Sequence, residues 1–250
     1  DVLTGTGERL HLVSGAPPPD SVTVDAVRDV VGRGLATVRT EFGRFVRQVS
    51  GYSLEHLLPE RGTDVARMLV GSEGTLAITR LATVRLVAEP EHRVLVVLGY
   101  PEMPDAGDAT PSVLRYRPTA CEGIDARIVD VVRTRFGAAA VPPLPAGAAW
   151  LFVEIAGDDP DEVLARADEV ARDCGASDSA VVTDPASADR LWRIRADGSG
   201  LSARSPVGRP AHAGWEDTAV PPERLGSYLR DFETLMADAG SMKTPTSPAR

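Results

Sequence analysis

The residues best suited to chemistry in this chain form a turn bracketed by glycines, Gly71-Ser72-Glu73-Gly74-Thr75, which runs into Leu76-Ala77-Ile78-Thr79. A glycine-rich turn lets the backbone come close to a ligand, because glycine reaches conformations that other residues avoid. The backbone N–H groups and the hydroxyls of Ser72 and Thr75 are natural partners for a polar cofactor. Glu73 would repel a phosphate, so a heteroaromatic ring with amide-like edges fits the turn better. The alternative is an ordinary tight turn before a strand.

Two further segments carry side chains suited to a small acidic ligand. Arg195 ends Leu191-Trp192-Arg193-Ile194-Arg195, and its guanidinium offers a fork of donors that matches a carboxylate. Asp217 lies in Trp215-Glu216-Asp217-Thr218-Ala219-Val220-Pro221. The alternatives are a surface salt bridge for Arg195 and a structural helix N-cap for Asp217. No metal site is expected, because metal-ligand spacing is absent among the histidines and cysteines, which are His11, His56, His92, His212, Cys121 and Cys174.

The order of these motifs resembles the FAD-linked oxidases of the vanillyl-alcohol-oxidase type, in the branch with D-lactate dehydrogenase, glycolate oxidase and 2-hydroxyglutarate dehydrogenase. The likeness covers roughly residues 44–236 and includes an Arg-x-x-x-Gly-Tyr segment, Arg47 to Tyr52, before the turn. The resemblance implies that this segment and the turn lie against the flavin of FAD, and that Arg195 binds the substrate carboxylate while Asp217 lines the substrate pocket. It makes the following residues cofactor-binding: Gly71, Ser72, Glu73, Gly74, Thr75 and Ile78.

The resemblance implies an FAD-dependent oxidoreductase that converts a 2-hydroxy acid, D-lactate or glycolate-like, into the 2-oxo acid. Many relatives are fused to, or work beside, an iron–sulfur protein, which is the possible electron acceptor. The two cysteines here are too few to hold such a cluster, which needs about four thiolates. Ala196 stands where relatives carry a glutamate that supports the arginine. Trp215 stands where several relatives carry a basic residue, and loss of that charge disfavours a dicarboxylate substrate.

Relatives also carry two motifs that this sequence lacks: an upstream glycine-rich loop for the FAD pyrophosphate and a downstream His-Gly-His-x-Gly-Asp-Gly-like motif. We therefore expect a fragment of a longer flavoenzyme that does not hold FAD tightly by itself, since clustered backbone N–H groups usually bind the diphosphate. Two alternatives remain open. One is a truncated, catalytically inactive remnant, and the other is a non-enzymatic α+β domain that binds a metabolite or a partner.

Composition bounds the class of protein. The 250 residues are 43% hydrophobic and 25% charged, as in soluble globular proteins. The net charge of −9 argues against nucleic acid or an anionic membrane as the main partner. The longest apolar run, Val94 to Leu98, has the length of a strand and cannot span a membrane. We expect a cytoplasmic protein, peripheral membrane association being the alternative, with Cys121 and Cys174 as free thiols.

The hydrophobic pattern predicts an α+β fold in two parts followed by a disordered tail at 241–250. Residues 1–90 are interpreted, with the resemblance, as the C-terminal half of a PCMH-type FAD-binding domain. Their pattern predicts a strand at 10–13, a helix over 22–38, short helical pieces at 54–58 and 65–70, and a hairpin of 75–78 with 82–87. Missing partner strands would leave 10–13 and 82–87 prone to self-association.

Residues 91–240 alternate between strand and helix patterns, which suits an antiparallel sheet with helices on one face. We interpret this part as a ferredoxin-like α+β substrate (cap) domain, in agreement with the resemblance. A helix is expected at 188–195 before the residues around Asp217, and another at 223–236 whose apolar stripe packs in the core. The expected strands are 93–98, 120–124, 150–155 and 179–183, and the other expected helices are 105–116, 125–136 and one that begins after Asp159.

Overall fold

The computed structural model of the chain describes residues 1–43, 51–199 and 220–239, which fall into two compact units. The first unit lies within residues 1–87, and the second comprises residues 88–199 and 220–239. Each unit has its own sheet, helices and hydrophobic core, so the α+β class is confirmed. No helix among the described residues is both long and apolar enough to cross a membrane.

The described residues of the first unit form a small antiparallel sheet, three short helices and two turns of 3-10 helix, at Leu54–Leu57 and Pro59–Arg61. Its core is built from valines and leucines of the three helices, of the 3-10 turns and of the first two strands, together with Met68. The elements are β1 (Val2–Thr4), β2 (Arg9–Leu10), α1 (Val22–Arg33), α2 (Leu35–Glu41), α3 (Val65–Leu69) and β3 (Ala77–Thr79).

The strand pairing of the first unit differs from the expected hairpin. β3 pairs with β1 instead of with residues 82–87, and β2 pairs with the other edge of β1. Arg80 and Leu81 extend the β3 side of the ladder by donating to the Asp1 carbonyl, at 2.9 and 3.3 Å. Residues 82–87 form no strand with any described residue, so the hairpin prediction is wrong. A partner more than 70 residues away in sequence leaves no local signal.

The single helix expected over 22–38 is divided at Gly34. Ser21 caps α1 by accepting hydrogen bonds from the N–H groups of Thr23 and Val24. Gly34 ends it, and its own N–H bonds to the carbonyls of Val30 and Val31 before α2 begins. The apolar spacing continues through the break, because Val38 of α2 is buried in the same core as α1.

The described residues of the second unit form a four-stranded antiparallel sheet, whose strands from one edge to the other are Ala120–Asp125, Ala149–Gly157, His92–Tyr100 and Asp178–Val182. This order is that of a split β-α-β arrangement, in which helices follow the first and third strands; here a further helix follows the second strand. The observed elements match the expected strands and helices within a few residues. They are β4 (His92–Tyr100), α4 (Met103–Leu114), β5 (Ala120–Asp125), α5 (Ala126–Phe136), β6 (Ala149–Gly157), α6 (Pro160–Asp173), β7 (Asp178–Val182), α7 (Pro185–Ser199) and α8 (Leu225–Asp238).

Helices cover both faces of this sheet, so the expectation of helices on one face is wrong. α4 and α6 pack on the face that carries Val96 and Leu98, whereas α5 and α7 pack on the face that carries Leu95 and Val97. The apolar run of β4 has no polar alternation. A strand of this kind is buried on both sides, which requires a helix layer on each.

α8 packs mainly against α4 rather than in the core. A Cβ on Gly107 would lie 3.0 Å from the backbone of Gly226, so the two helices approach as closely as glycines allow. Arg230 of α8 also donates to the carboxylates of Asp105 and Asp108 of α4. The far end of the apolar stripe is outside any core, since Leu235 is 64% exposed.

The buried Tyr100 hydroxyl supports a prediction about alkaline stability. It donates to the Cys174 carbonyl at 2.9 Å, and burial, with smaller effects of the Cys174 and Cys121 thiols, raises its pKa. Because the folded state keeps this proton longer than the unfolded chain, the contribution is complete below about pH 10 and is lost as the pH rises above it. We expect Tyr100→Phe to lower stability by about 1 kcal/mol at pH 7 and to flatten the decline above pH 10.

Thermal unfolding followed by circular dichroism from pH 7 to 11 measures both effects. Tyr228→Phe is the matched control, because that tyrosine lies half-exposed on α8. Parallel pH profiles for the wild type and Tyr100→Phe would contradict the prediction.

Candidate functional site

The 71–75 turn is a compact, left-handed structure at the C-terminal end of α3. Gly71, Glu73 and Gly74 have φ angles of 83°, 51° and 74°. The Ser72 N–H bonds to the Leu69 carbonyl, and the N–H and hydroxyl of Thr75 both donate to the Ser72 carbonyl, at 2.9 and 2.6 Å. A positive φ is uncommon for glutamate, so the turn holds Glu73 in a conformation that the sequence alone does not favour.

One face of this turn is open. A Cβ placed on Gly71 or on Gly74 would meet no heavy atom within 4 Å. The backbone N–H groups of Glu73 and Gly74 have no hydrogen-bond acceptor among the described residues. The turn therefore presents free donors and no side chain at its glycines, and this suits the edge of a flat heterocycle with carbonyl and ring-nitrogen acceptors.

The second motif of the first unit is joined to this turn by a hydrogen bond. The Tyr52 hydroxyl lies 2.9 Å from Thr75 Oγ1. The single hydroxyl proton of Thr75 is already donated to the Ser72 carbonyl, so Tyr52 is the donor. The structure thus brings together Tyr52 and Thr75 of the turn, which lie 23 residues apart in sequence.

The remaining predicted cofactor residues differ in exposure. Ser72 is buried, whereas Gly71, Glu73, Gly74, Thr75 and Ile78 are exposed, the last on β3. Arg47, the first residue of the Arg-x-x-x-Gly-Tyr segment, lies outside the described residues.

Asp64 joins α3, the helix that precedes the turn, to the loop at Ser14 and Gly15, and the sequence analysis did not identify it. It caps α3 by accepting the Arg67 N–H at 3.0 Å, and its other oxygen accepts the Ser14 hydroxyl and the Gly15 N–H, both at 2.8 Å. Burial by itself would raise the pKa of Asp64, but these donors outweigh burial and lower it. An aspartate directly before an apolar helical run is an N-cap signal, so this role could be predicted from the sequence. No sequence signal predicts its bonds to the loop at Ser14 and Gly15.

In the second unit, α7 positions Arg195. Leu191 and Ile194 are buried against the sheet, and the Trp192 ring packs edge-on to Phe152 with centroids 5.8 Å apart. Arg195 lies on the exposed side of the helix, where its Nη2 atom is 3.4 Å from Oε1 of Glu122 on β5. The two side chains are 52% and 40% exposed, so the pair itself adds little stability.

Glu122 supplies a carboxylate that the local sequence does not. Ala196 stands where the resembling family has a glutamate next to the arginine, and Glu122 reaches Arg195 from a strand 73 residues earlier. No spacing rule connects the two positions. Asp217 and the 241–250 tail lie outside the described residues.

Comparison with known proteins gives a consistent result. The family model for FAD linked oxidases, C-terminal domain, matches residues 89–247. The chain is 28% identical to a D-2-hydroxyglutarate dehydrogenase of Pseudomonas putida over an alignment of 271 residues. This alignment covers 96% of this chain and 26% of that protein.

Two similar proteins are named as lactate dehydrogenases. A D-lactate dehydrogenase of Archaeoglobus fulgidus is 30% identical over 202 residues, which cover 79% of this chain and 40% of that protein. A probable mitochondrial D-lactate dehydrogenase of Danio rerio is 32% identical over 172 residues, 67% of this chain and 33% of that protein. The chain therefore spans about a quarter to two fifths of the length of these relatives.

The Asp64 contacts predict how the stability of α3 and of the loop at Ser14 and Gly15 depends on this carboxylate. Asp64→Ala removes the acceptor of three donors, and we expect the first unit to lose about 1–3 kcal/mol. The Gly15 and Arg67 amides should then exchange hydrogen faster. Because the pKa of Asp64 is lowered, the same loosening should develop in the wild type as the pH falls below about 4.

Hydrogen exchange followed by mass spectrometry resolves this effect by segment. Asp20→Ala, at an exposed position before α1, is the control and should leave exchange at Gly15 unchanged. Equal protection of Gly15 and Arg67 in the wild type and in Asp64→Ala would rule out the anchoring role.

Proposed function

The chain belongs to the family of FAD linked oxidases, C-terminal domain, and on that premise we propose that it is part of an FAD-dependent dehydrogenase for 2-hydroxy acids. Family membership implies an FAD cofactor. The proposed reaction oxidises a D-lactate- or glycolate-like acid to its 2-oxo acid, and the similar proteins named for D-2-hydroxyglutarate and D-lactate support it. The observation that carries the proposal is the open turn, which the hydrogen bond from Tyr52 joins to the second motif.

In this proposal the first unit is part of the FAD-binding domain. FAD, when bound, supplies a ring that accepts a hydride from the α-carbon of the substrate. Gly71 and Gly74 let the backbone approach the ring, and the free N–H groups of Glu73 and Gly74 donate to its polar edge. Thr75 and Tyr52 hold the turn in shape. Ser72 supports the turn from inside, and Ile78 offers an apolar contact next to it.

The second unit is proposed as the substrate, or cap, domain. Arg195 binds the substrate carboxylate through its fork of donors, and Glu122 orients the guanidinium by accepting one of its N–H groups. Asp217 is proposed to line the same pocket. Trp215 in place of a basic residue favours a monocarboxylate, because a second carboxylate would find no cation at that position.

The electron acceptor and the location of the protein complete the proposal. The proposed electron acceptor is an iron–sulfur protein, fused to this enzyme or working beside it, as the resemblance implies; the two cysteines of this sequence are too few to ligate a cluster. Cys121 and Cys174 are both free thiols, which suits a reducing compartment such as the cytoplasm. Peripheral association with a membrane stays the alternative.

The flavin contact is tested in the longer polypeptide that carries this sequence. Gly74→Val places a side chain on the open face and should reduce the flavin content of the purified protein to a small fraction. Gly62→Val is the matched control, because Gly62 has nearly the same φ, 76° against 74°, and an equally open Cβ direction. It carries the same backbone strain away from the turn.

Visible absorbance per protein measures the bound flavin. If Gly74→Val retained as much flavin as Gly62→Val, the turn would not be the contact. The 250-residue chain dialysed against FAD should remain nearly colourless, because it has no glycine-rich loop for the diphosphate.

The role of Arg195 is tested by dye reduction with D-lactate or glycolate. We expect Arg195→Ala to lower kcat/KM by about two orders of magnitude, the effect of losing a charged hydrogen bond worth ~1.5–3 kcal/mol. Glu122→Gln should have a smaller effect in the same direction. Arg193→Ala is the control, since Arg193 is exposed on the same helix, and equal effects at 193 and 195 would exclude the assignment.

A further inference from the structure

The ion pair of Arg195 with Glu122 determines the charge that a ligand meets at this arginine. Among the described residues, Glu122 supplies the one carboxylate in contact with the guanidinium, with Oε1 3.4 Å from Nη2. Arginine has five N–H donors and Glu122 accepts from one of them, so donors remain for a further carboxylate. The opposite charges of the pair cancel, and a bound acid therefore adds its charge to a site that is already neutral.

Two basic residues close in sequence to the pair add no cation to it. Arg127, the second residue of α5, is held by both carboxylate oxygens of Asp125, each at 2.7 Å. Arg193 lies two positions before Arg195 on α7, and residues two apart do not share a face of a helix. Glu122 thus sets the charge next to Arg195.

We propose that Glu122 is a specificity-determining residue, through which the enzyme selects 2-hydroxy acids with one carboxylate over those with two. The inference rests on the proposed function, because it takes Arg195 as the group that binds the carboxylate of the reacting acid. The similar proteins are named for D-lactate, which has one carboxylate, and for D-2-hydroxyglutarate, which has two. Their names therefore leave this choice open.

The charge of Glu122 reaches a second carboxylate in whichever direction the substrate extends. The first carboxylate and Glu122 share one guanidinium, and a five-carbon acid adds only a short chain between its two ends. The distal carboxylate therefore stays within about 13 Å of Glu122, well inside the Debye length of about 30 Å at 0.01 M ionic strength. Like charges at this distance repel, and no movement of the chain of the acid avoids the repulsion.

The repulsion discriminates because only one class of acid has the second charge. Glu122 acts on the carboxylate bound to Arg195 in the same way for both classes, and this effect cancels in the ratio of their kcat/KM values. The distal carboxylate is the difference between them. A like charge placed against the unwanted ligand is a common means of specificity.

The selectivity is measured in the longer polypeptide that carries this sequence, by dye reduction at about 0.01 M ionic strength. The quantity is the ratio of kcat/KM for D-lactate to that for D-2-hydroxyglutarate, which should exceed one in the wild type. Glu122→Gln keeps the size and an acceptor oxygen but removes the charge, and should lower the ratio about fivefold. Any loss of orientation at Arg195 falls on both acids and cancels. Glu122→Asp retains the charge and should retain most of the selectivity.

Glu169→Gln is the matched control, because it removes the same charge from the protein at a distance from Arg195. Glu169 is exposed on α6, which packs on the opposite face of the sheet from α7. The ratio should stay at the wild-type value in this variant. A wild type that prefers D-2-hydroxyglutarate, or equal ratios in Glu122→Gln and Glu169→Gln, would overturn the proposal.

Ionic strength gives a readout that a purely structural role of Glu122 would not move. Between about 0.01 and 1 M the Debye length falls from about 30 to about 3 Å, so the wild-type ratio should decline. The ratio of Glu122→Gln should depend less on salt, and equal salt dependence in the two proteins would contradict the electrostatic role.

The same assays separate the inference from the proposed function. An enzyme that oxidises neither acid, or whose Arg195→Ala variant oxidises both at wild-type rates, would refute the proposed function and the inference together. Turnover that depends on Arg195, with a ratio that Glu122→Gln leaves unchanged, would refute the selectivity of Glu122 alone.

Discussion

The nine antiparallel residue pairs between β4 and β6 are the constraint on which the second unit depends. Both strands are apolar on both faces, so the pair is stable only when helices cover each side. β5 and β7 attach to the outer edges of this pair. α7 is held against one face by Leu191 and Ile194, and this fixes which side of the helix presents Arg195. The placement of the arginine is therefore a consequence of the sheet.

Most elements of the second unit could be predicted from the sequence because their signals are local. Asp159 and Pro160 mark the start of α6, and the cap is present as expected. What could not be predicted depends on partners far apart in sequence. The 77–79 strand pairs with residues 2–4 instead of with the strand-like 82–87, and α5 lies on the face opposite α4. A hydrophobic pattern states which side of an element is buried and leaves open what buries it.

In the candidate site, too, local features could be predicted from the sequence and contacts between distant residues could not. The turn could be recognised from its sequence, because glycine spacing directly encodes left-handed backbone. The hydrogen bond from Tyr52 to Thr75, the anchoring of the Ser14 loop by Asp64 and the contact of Glu122 with Arg195 could not. Each joins residues that only the folded chain brings together. Glu122 on β5 contacts Arg195 from 73 residues earlier in the chain, and comparison of the residues next to Arg195 would not find it.

The order of the strands has a consequence for synthesis on the ribosome. β4 lies in the middle of its sheet, yet both of its neighbours, β6 and β7, follow it in the chain. At roughly 5–20 residues per second, the interval between the end of β4 and the end of β6 lasts about 3–11 seconds. During that time β4, whose residues from Val94 to Leu98 are all apolar, emerges from the ribosomal tunnel without a neighbouring strand. α4 follows β4 directly in the chain and packs on one of its faces in the folded unit, so contact with this helix would shield half of the strand before β6 arrives.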